Sequence, residues 1–162
     1  MKWHYTNGRR IDAIFASEAL LPAASGSANR MGPAVWLSAN AQWEATANRA
    51  VRRTDGTIMR CDRERTDIFC DGLFRFEINP AHRLIAWREF AEMRRIERSD
   101  LLRIEALARR LGSEPNLWYA SLQPIGSDQW STVERWNRHF WEPVETVCAA
   151  AAWPSFDSRR AG

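Results

Sequence analysis

Short stretches of alternating or continuous apolar residues run along the chain, and they predict strands. The clearest is Leu73–Ile78, in which Arg75 and Glu77 lie opposite an apolar face. Similar short stretches are bounded by Gly, Pro or Asn, which are typical of turns. They predict further strands over residues 1–6, 34–38, 83–87, 117–122 and 132–136.

Apolar residues at helical spacing predict helices between these strands, over residues 10–21, 41–51 and 101–111. The second helix is predicted to begin after Asn40, because an Asn side chain can accept a hydrogen bond from the first free backbone N–H groups of a helix. The polar stretch 52–71 predicts a loop or a short insert. The elements together predict a single α+β domain with a mostly antiparallel sheet.

Length and composition fit that single domain. The chain has 162 residues, of which 45% are hydrophobic and 27% are charged. We expect the domain to span residues 1–153 and residues 154–162 to be a frayed tail.

Charge and cysteine content limit the classes of function. The net charge is +3, and Lys2 is the only lysine, so the basic side chains are almost all Arg. Arg suits a phosphate-bearing partner, but this excess is too small to indicate nucleic acid by itself. Three cysteines without a CxxC spacing predict no metal site and no disulfide framework. With no apolar run long enough for a membrane, we expect a cytoplasmic protein and no membrane partner.

Two strand–helix units carry the candidate chemistry. One is "WHYT" followed by the first predicted helix, and the other is "VWLS" followed by Asn40. Each places small polar side chains at the end of a strand, just before a helix begins. Ligands bind in such crevices because backbone groups and helix N-termini point into them.

The stretches "WHYT", "IFASEALLPA" and "PAVWLSANAQWEATA" resemble the N-terminal half of diphtheria-type ADP-ribosyltransferases. Within that superfamily, the pattern of these stretches most resembles that of the DarT toxins, which modify DNA, and that of the RNA 2′-phosphotransferases. The "WHYT" start and the "WxSxNxxWExTA" stretch also resemble a set of uncharacterised bacterial proteins. The resemblance implies a split antiparallel sheet, NAD as cofactor, and a macromolecular acceptor that is a nucleic acid or a protein. It also implies a toxin or defence role, with a cognate antitoxin as a further partner.

The resemblance also implies roles for individual residues. Glu134 is the family's carboxylate that polarises the transferring ribose, and Glu44 is a secondary catalytic candidate. The implied cofactor-binding set is His4 and Thr6 for the ribose, Trp36 and Ser38 around the nicotinamide, and Arg75 for phosphate. Asn40 also belongs to this set. Arg9 and Arg10 are the alternative to Arg75. Rivals of Glu134 for the catalytic role are Glu77, Glu142 and Glu145.

Each of these residues also has an ordinary structural interpretation. His4 can bond to backbone, Ser38 and Asn40 can form a capping pair, and Glu134 can be an exposed strand residue beside an arginine. Two other functions remain open. One is a non-enzymatic protein, such as a phage or bacterial inhibitor, that binds a nucleotide or a partner. The other is a metal-independent ribonuclease that uses His4, His82, His139 or Glu44 as acid and base.

Overall fold

The computed structural model describes residues 1–23 and 31–144. Residues 24–30 and 145–162, which include the predicted tail and Glu145, lie outside the described residues. The strands in chain order are β1 (Trp3–Asn7), β2 (Ala19–Leu20), β3 (Val35–Ser38), β4 (Ala50–Arg52), β5 (Ile58–Arg60), β6 (Leu73–Ile78), β7 (Ile85–Ala86), β8 (Trp118–Ser121), β9 (Ile125–Gly126), β10 (Trp130–Trp136) and β11 (Trp141–Pro143).

In the described part of the chain, these strands form one seven-stranded sheet and two sheets of two strands each. Four helices lie between the strands in chain order. They are α1 (Gly8–Ser17), α2 (Arg63–Phe69), α3 (Trp87–Met93) and α4 (Arg98–Arg110). Short 3₁₀ turns stand at Ala45–Ala47, Pro115–Leu117 and Ser127–Gln129. The main sheet has seven strands in the order β11-β10-β6-β1-β3-β8-β7, and all of its pairs are antiparallel. The predicted α+β class with a mostly antiparallel sheet is therefore confirmed.

The two faces of the sheet carry different cores. Alternation along β6 sends Phe74, Phe76 and Ile78 to one side, where they pack with Ile11 of α1; we call this the α1 face. The opposite side, the α3 face, packs Trp36 and its neighbours on β8 against α3 and α4. Every residue of β1, β3, β6 and β10 can therefore be assigned to a face from the register of the strands.

In the middle of the sheet, the pairing between β1 and β3 is short. β1 pairs with β6 over its whole length, but with β3 it shares only the residue pair Trp3 and Ser38. Beyond that pair the two strands part, and the ring of His4 bridges them, with Nδ1 2.9 Å from the carbonyl oxygen of Trp36. A side chain thus takes the place of a missing backbone bond.

Several local predictions are wrong. Residues 41–51 do not form a helix: they contain an irregular stretch, a 3₁₀ turn and most of β4. The reason is that side chains of Asn40 and Glu44 bond to nearby backbone N–H groups and hold turns instead. The stretch 52–71 is not simply a loop, because it contains β5 and α2.

Two boundaries also differ from the prediction. The first helix ends at Ser17, because Glu18 adopts a left-handed conformation with φ of 48°. The strand predicted over 83–87 shrinks to β7, and Trp87 instead begins α3. Trp87, Phe90 and Ala91 are all buried, which is the i, i+3, i+4 spacing of a helix.

Gly8 allows α1 to start directly after β1. A Cβ atom at this position would lie 1.9 Å from the carbonyl oxygen of Asp71. The N–H of Gly8 donates to the carbonyl of Gly72, and that of Arg9 to the carbonyl of Cys70. The turn before β6 is therefore packed against the first residue of the helix.

We predict that Gly8→Ala lowers the free energy of unfolding by roughly 1–3 kcal/mol, because backbone must move to admit the methyl group. Urea denaturation measures this. The control is Asp12→Ala at an exposed position of α1, for which the change should stay within about 0.5 kcal/mol. Equal stability of the two variants would contradict the close contact at Gly8.

Candidate functional site

Arg75 is the centre of a polar cluster on the α3 face. Its guanidinium carbon lies 3.8 Å from the ring centroid of Trp3 and 4.6 Å from that of Trp141. Its Nε and Nη2 both lie 2.5 Å from one carboxylate oxygen of Glu134, and Nη1 donates to the carbonyl of Ala41. The Arg75 and Glu134 side chains are only 10% and 15% exposed, so the pair is largely withdrawn from water.

Strand register brings this pair together. Tyr5 of β1 stands opposite Arg75 of β6, and Arg75 stands opposite Glu134 of β10. Residues directly opposite in antiparallel strands place their side chains on the same face at close range. Tyr5, Arg75 and Glu134 therefore form one row across three strands.

An irregular segment, residues 40–43, lies over this row; we call it the strap. Three successive carbonyls of the strap, those of residues 40, 41 and 42, accept hydrogen bonds from the side chains of Tyr5, Arg75 and Trp141. Burial raises the pKa of Tyr5 to about 12, although the nearby Arg75 opposes the shift. The phenol is therefore a neutral donor at physiological pH, and it holds the strap through one of its three bonds to the sheet.

Ser38 and Asn40 shape the strap. The hydroxyl of Ser38 accepts from the backbone N–H of Asn40 at 3.1 Å. The amide of Asn40 donates to the carbonyl of Trp43 at 2.8 Å and accepts from the N–H of Gln42 at 2.9 Å. Both residues therefore have the structural role of fixing backbone, as the capping interpretation expected, although the backbone is a turn and not a helix.

Aromatic rings close the sides of the cluster. Trp43 is stacked with Trp141 at 6.3 Å between ring centroids, and Tyr5 meets Trp43 edge-on at 5.1 Å. Indole and phenol rings thus form an enclosure around the guanidinium of Arg75, to which Glu134 is bonded. Such an enclosure is apolar at its walls and charged at its centre, which strengthens the electrostatic interactions inside it.

Glu44 lies just beyond the strap and is 7% exposed. Its Oε1 accepts from the hydroxyl of Ser113, and also from the N–H and the hydroxyl of Thr46, at 3.2 and 2.8 Å. Its Oε2 is buried and has no hydrogen-bond partner among the described residues. The carboxylate therefore caps the 3₁₀ turn that follows it.

His4 and Thr6 lie on the α1 face, opposite Arg75 and Glu134. They alternate with Trp3 and Tyr5 along β1, and the ring of His4 lies near that of Phe76, at 6.3 Å between centroids. Burial lowers the pKa of His4 to about 4. Its ring is therefore neutral at physiological pH, with the proton on Nδ1, because only a protonated Nδ1 can donate to the carbonyl of Trp36.

The structure therefore brings only some of the sequence-predicted site residues together. Arg75 and Glu134 are in contact, and Trp36 shares their face, but its ring packs on Phe90 of α3 at 4.9 Å. Among the rival carboxylates, Glu77 shares the face of Arg75, whereas Glu142 lies on the α1 face. Arg9 and Arg10, the alternatives to Arg75, lie at the start of α1 and line a separate cleft.

The histidines that a ribonuclease would need are also separate. The Nε2 of His82 lies 3.4 Å from the hydroxyl of Ser121, and His139 lies in a turn in which its backbone N–H donates to Asn137. Among the described residues there is no group of three or more His, Cys, Asp or Glu side chains that could hold a metal ion. Nor does any helix in the described part have both the length and the apolar character to cross a membrane.

Sequence reasoning missed the residues that surround Arg75. It assigned no role to Trp3, Tyr5 or Trp141. The signal was available in the alternation of β1, which puts Trp3 and Tyr5 on the face that His4 does not share. What the sequence could not supply was the pairing of β1 with β6, which brings those rings to Arg75.

The lowered pKa of His4 predicts a pH dependence of stability. The unfolded chain binds a proton at this residue below pH 6.5, and the folded chain only below about pH 4. The unfolded state therefore binds more protons in this window, and stability should fall by up to about 3 kcal/mol as the pH drops through it. Urea denaturation of wild type and His4→Gln between pH 7 and 4 measures the difference. Identical pH profiles for the two proteins would contradict the prediction.

The Arg75–Glu134 pair predicts strong coupling between two substitutions. Arg75→Met should destabilise by about 3–5 kcal/mol, since it leaves a buried carboxylate unpaired. The double variant Arg75→Met/Glu134→Leu should cost less than the sum of the single changes, by more than about 1 kcal/mol. The matched control is the exposed pair Arg103 and Asp100, for which the coupling should stay below about 1 kcal/mol. Additive effects at the buried pair would contradict the prediction.

Any function of this cluster must follow from its geometry. An arginine and a glutamate are held in an aromatic enclosure on the α3 face, under a strap that the same side chains bind. We compared the chain with known proteins. No protein-family model, no curated protein and no solved structure matches it.

Proposed function

We propose that this chain binds NAD and transfers ADP-ribose to a macromolecule, with Glu134 as the carboxylate that stabilises the transferring ribose. The observation that carries the proposal is the position of Glu134, held by Arg75 within an enclosure of aromatic rings. The sequence resemblance to diphtheria-type ADP-ribosyltransferases names the reaction for which such a carboxylate is suited.

The chemistry explains why that combination supports the proposal. Cleavage of the bond between nicotinamide and ribose develops positive charge on the ribose, as in an oxocarbenium ion. A carboxylate in a site that excludes water stabilises this charge. Aromatic faces such as those of Trp43 and Trp141 stack on a planar nicotinamide, and a guanidinium such as that of Arg75 binds phosphate oxygens.

The strap must move for a ligand to reach Glu134. It is held to the sheet by bonds from the side chains of Tyr5, Arg75 and Trp141. A ligand that offers acceptor oxygens to the same donors would replace the strap carbonyls without leaving those donors unpaired. Binding and displacement of the strap are therefore one event in this proposal.

A second candidate is a protein that binds a nucleotide or a partner without turnover. The observation that favours it is the separation of His4 and Thr6 from Glu134, on opposite faces of the sheet. In this case the chain would hold its ligand and release no nicotinamide. Release of nicotinamide from NAD therefore distinguishes the two candidate functions.

We predict that the wild type releases nicotinamide from labelled NAD and transfers the label to DNA, RNA or protein in a lysate. Glu134→Gln should reduce both activities by at least about 100-fold, since it removes the charge that stabilises the transition state. The matched control is Glu142→Gln, because Glu142 lies on the other face and bonds to Asn137. Its activity should equal that of the wild type.

Three results of this experiment would contradict the proposed function or favour an alternative to it. Full activity of Glu134→Gln would remove Glu134 from the reaction. Binding of NAD without release of nicotinamide would favour the second candidate. Cleavage of RNA in the absence of NAD, lost in His82→Ala or His139→Ala, would favour the ribonuclease alternative.

A further inference from the structure

A second polar site lies where β1 passes into α1. A cleft of about 370 Å³ opens there, and the side chains that matter for its chemistry are Asn7, Arg9, Arg10, Arg49 and Arg52. None of the described residues that line it is acidic. The cleft therefore concentrates positive charge in a chain whose overall net charge is only +3.

The arginines of the cleft are poorly neutralised. Arg9 forms an exposed ion pair with Asp71 at 3.3 Å, and Arg52 donates to the carbonyl of Gly56 at 3.3 Å. Within the described ranges, Arg10 and Arg49 have neither an ion pair nor a side-chain hydrogen bond. Several guanidinium groups thus share one cleft, with a single carboxylate beside it.

Arg49 is the most constrained of these groups. It is half-buried, and its Nε is shielded from solvent without a hydrogen-bond partner in the described part of the chain. Burial lowers the pKa of Arg49, and the neighbouring charge of Arg10 lowers it further. A desolvated cation that lacks a partner is unfavourable, and an anion in the cleft would supply the partner.

Asn7 is an independent sign of a ligand. It is 5% exposed, and its amide makes no hydrogen bond with any described residue, although it occupies the N-cap position of α1. A side chain at that position ordinarily bonds to the helix backbone, whereas this amide lines the cleft with its bonding groups unused. The first turn of α1 lacks an acidic residue, and its first two N–H groups, those of Gly8 and Arg9, donate to the carbonyls of Gly72 and Cys70.

We propose that this cleft binds the phosphate group of a small ligand. Arg49 and Arg10 bind its oxygens, and the amide of Asn7 donates to it. Phosphate fits better than a carboxylate, because its three or more oxygens can satisfy several donors at once. A small ligand fits the cleft, because four arginines line a volume of about 370 Å³.

This site does not depend on the proposed transfer reaction. It lies at the start of α1, and it needs neither Glu134 nor displacement of the strap. Its existence can therefore be tested with a phosphate compound that has no nicotinamide and cannot react.

The experiment is calorimetric titration of the full chain with pyrophosphate at low ionic strength. We expect saturable binding of one equivalent by the wild type, weakened at least tenfold in Arg49→Met and in Asn7→Ala. Because those two residues are partly or wholly buried, Arg10→Met at an exposed position of α1 provides a variant that should fold normally. It should also bind at least tenfold more weakly. Arg103→Met on α4 is the matched control and should bind like the wild type.

The outcomes separate this proposal from the transferase. Pyrophosphate binding that persists in Glu134→Gln, together with absence of nicotinamide release in the wild type, supports the cleft and removes the transfer reaction. Binding that is equal in wild type, Arg10→Met and Arg49→Met overturns the cleft, whatever the activity. Absence of pyrophosphate binding also overturns it, as does binding of a single-stranded oligonucleotide alone.

Discussion

The burial of one guanidinium group organises half of this molecule. Arg75 stands in the middle of a sheet, where its charge and its five N–H donors must find partners away from water. They find Glu134 on β10, a carbonyl of the strap, and the faces of Trp3 on β1 and Trp141 on β11. Three other strands and one irregular segment are thus positioned by a single side chain. An apolar residue at this position would leave the glutamate without its partner and would remove one of the three bonds that hold the strap.

Prediction from sequence succeeded where local pattern and tertiary structure agree. The alternation of Leu73–Ile78 and the amphipathic spacing before Gly112 both appear in the fold, as β6 and α4. It failed over residues 41–51, whose alanines are typical of a helix. There the side chains of Asn40 and Glu44 offer the backbone other bonds, and carbonyls of the strap are taken by the sheet. Such competition depends on contacts that no local window contains.

The same limit applies to the candidate site. Arg75 and Glu134 were each singled out from sequence, but the contact between them joins positions 59 residues apart and follows from strand register. Alternation along β1 was enough to place His4 and Tyr5 on opposite faces. It could not show which face holds the arginine, because that depends on how β6 packs against α1. The chemical role of a single residue could therefore be predicted from the sequence, whereas the grouping of residues in space could not.

The place of β1 in the sheet has a consequence for synthesis of the chain. β1 is made first among the described strands, yet it lies in the interior of the sheet, between β3 and β6. Its main partner, β6, begins only at Leu73, and β10 completes that half of the sheet later still. During translation Trp3 and Tyr5 therefore remain without their native neighbours for several seconds. A high share of such distant pairings slows folding and lengthens the time in which apolar strands are exposed to other chains. The nascent chain thus exposes β1 until β6 has been made, and β6 lacks its second neighbour until β10 follows.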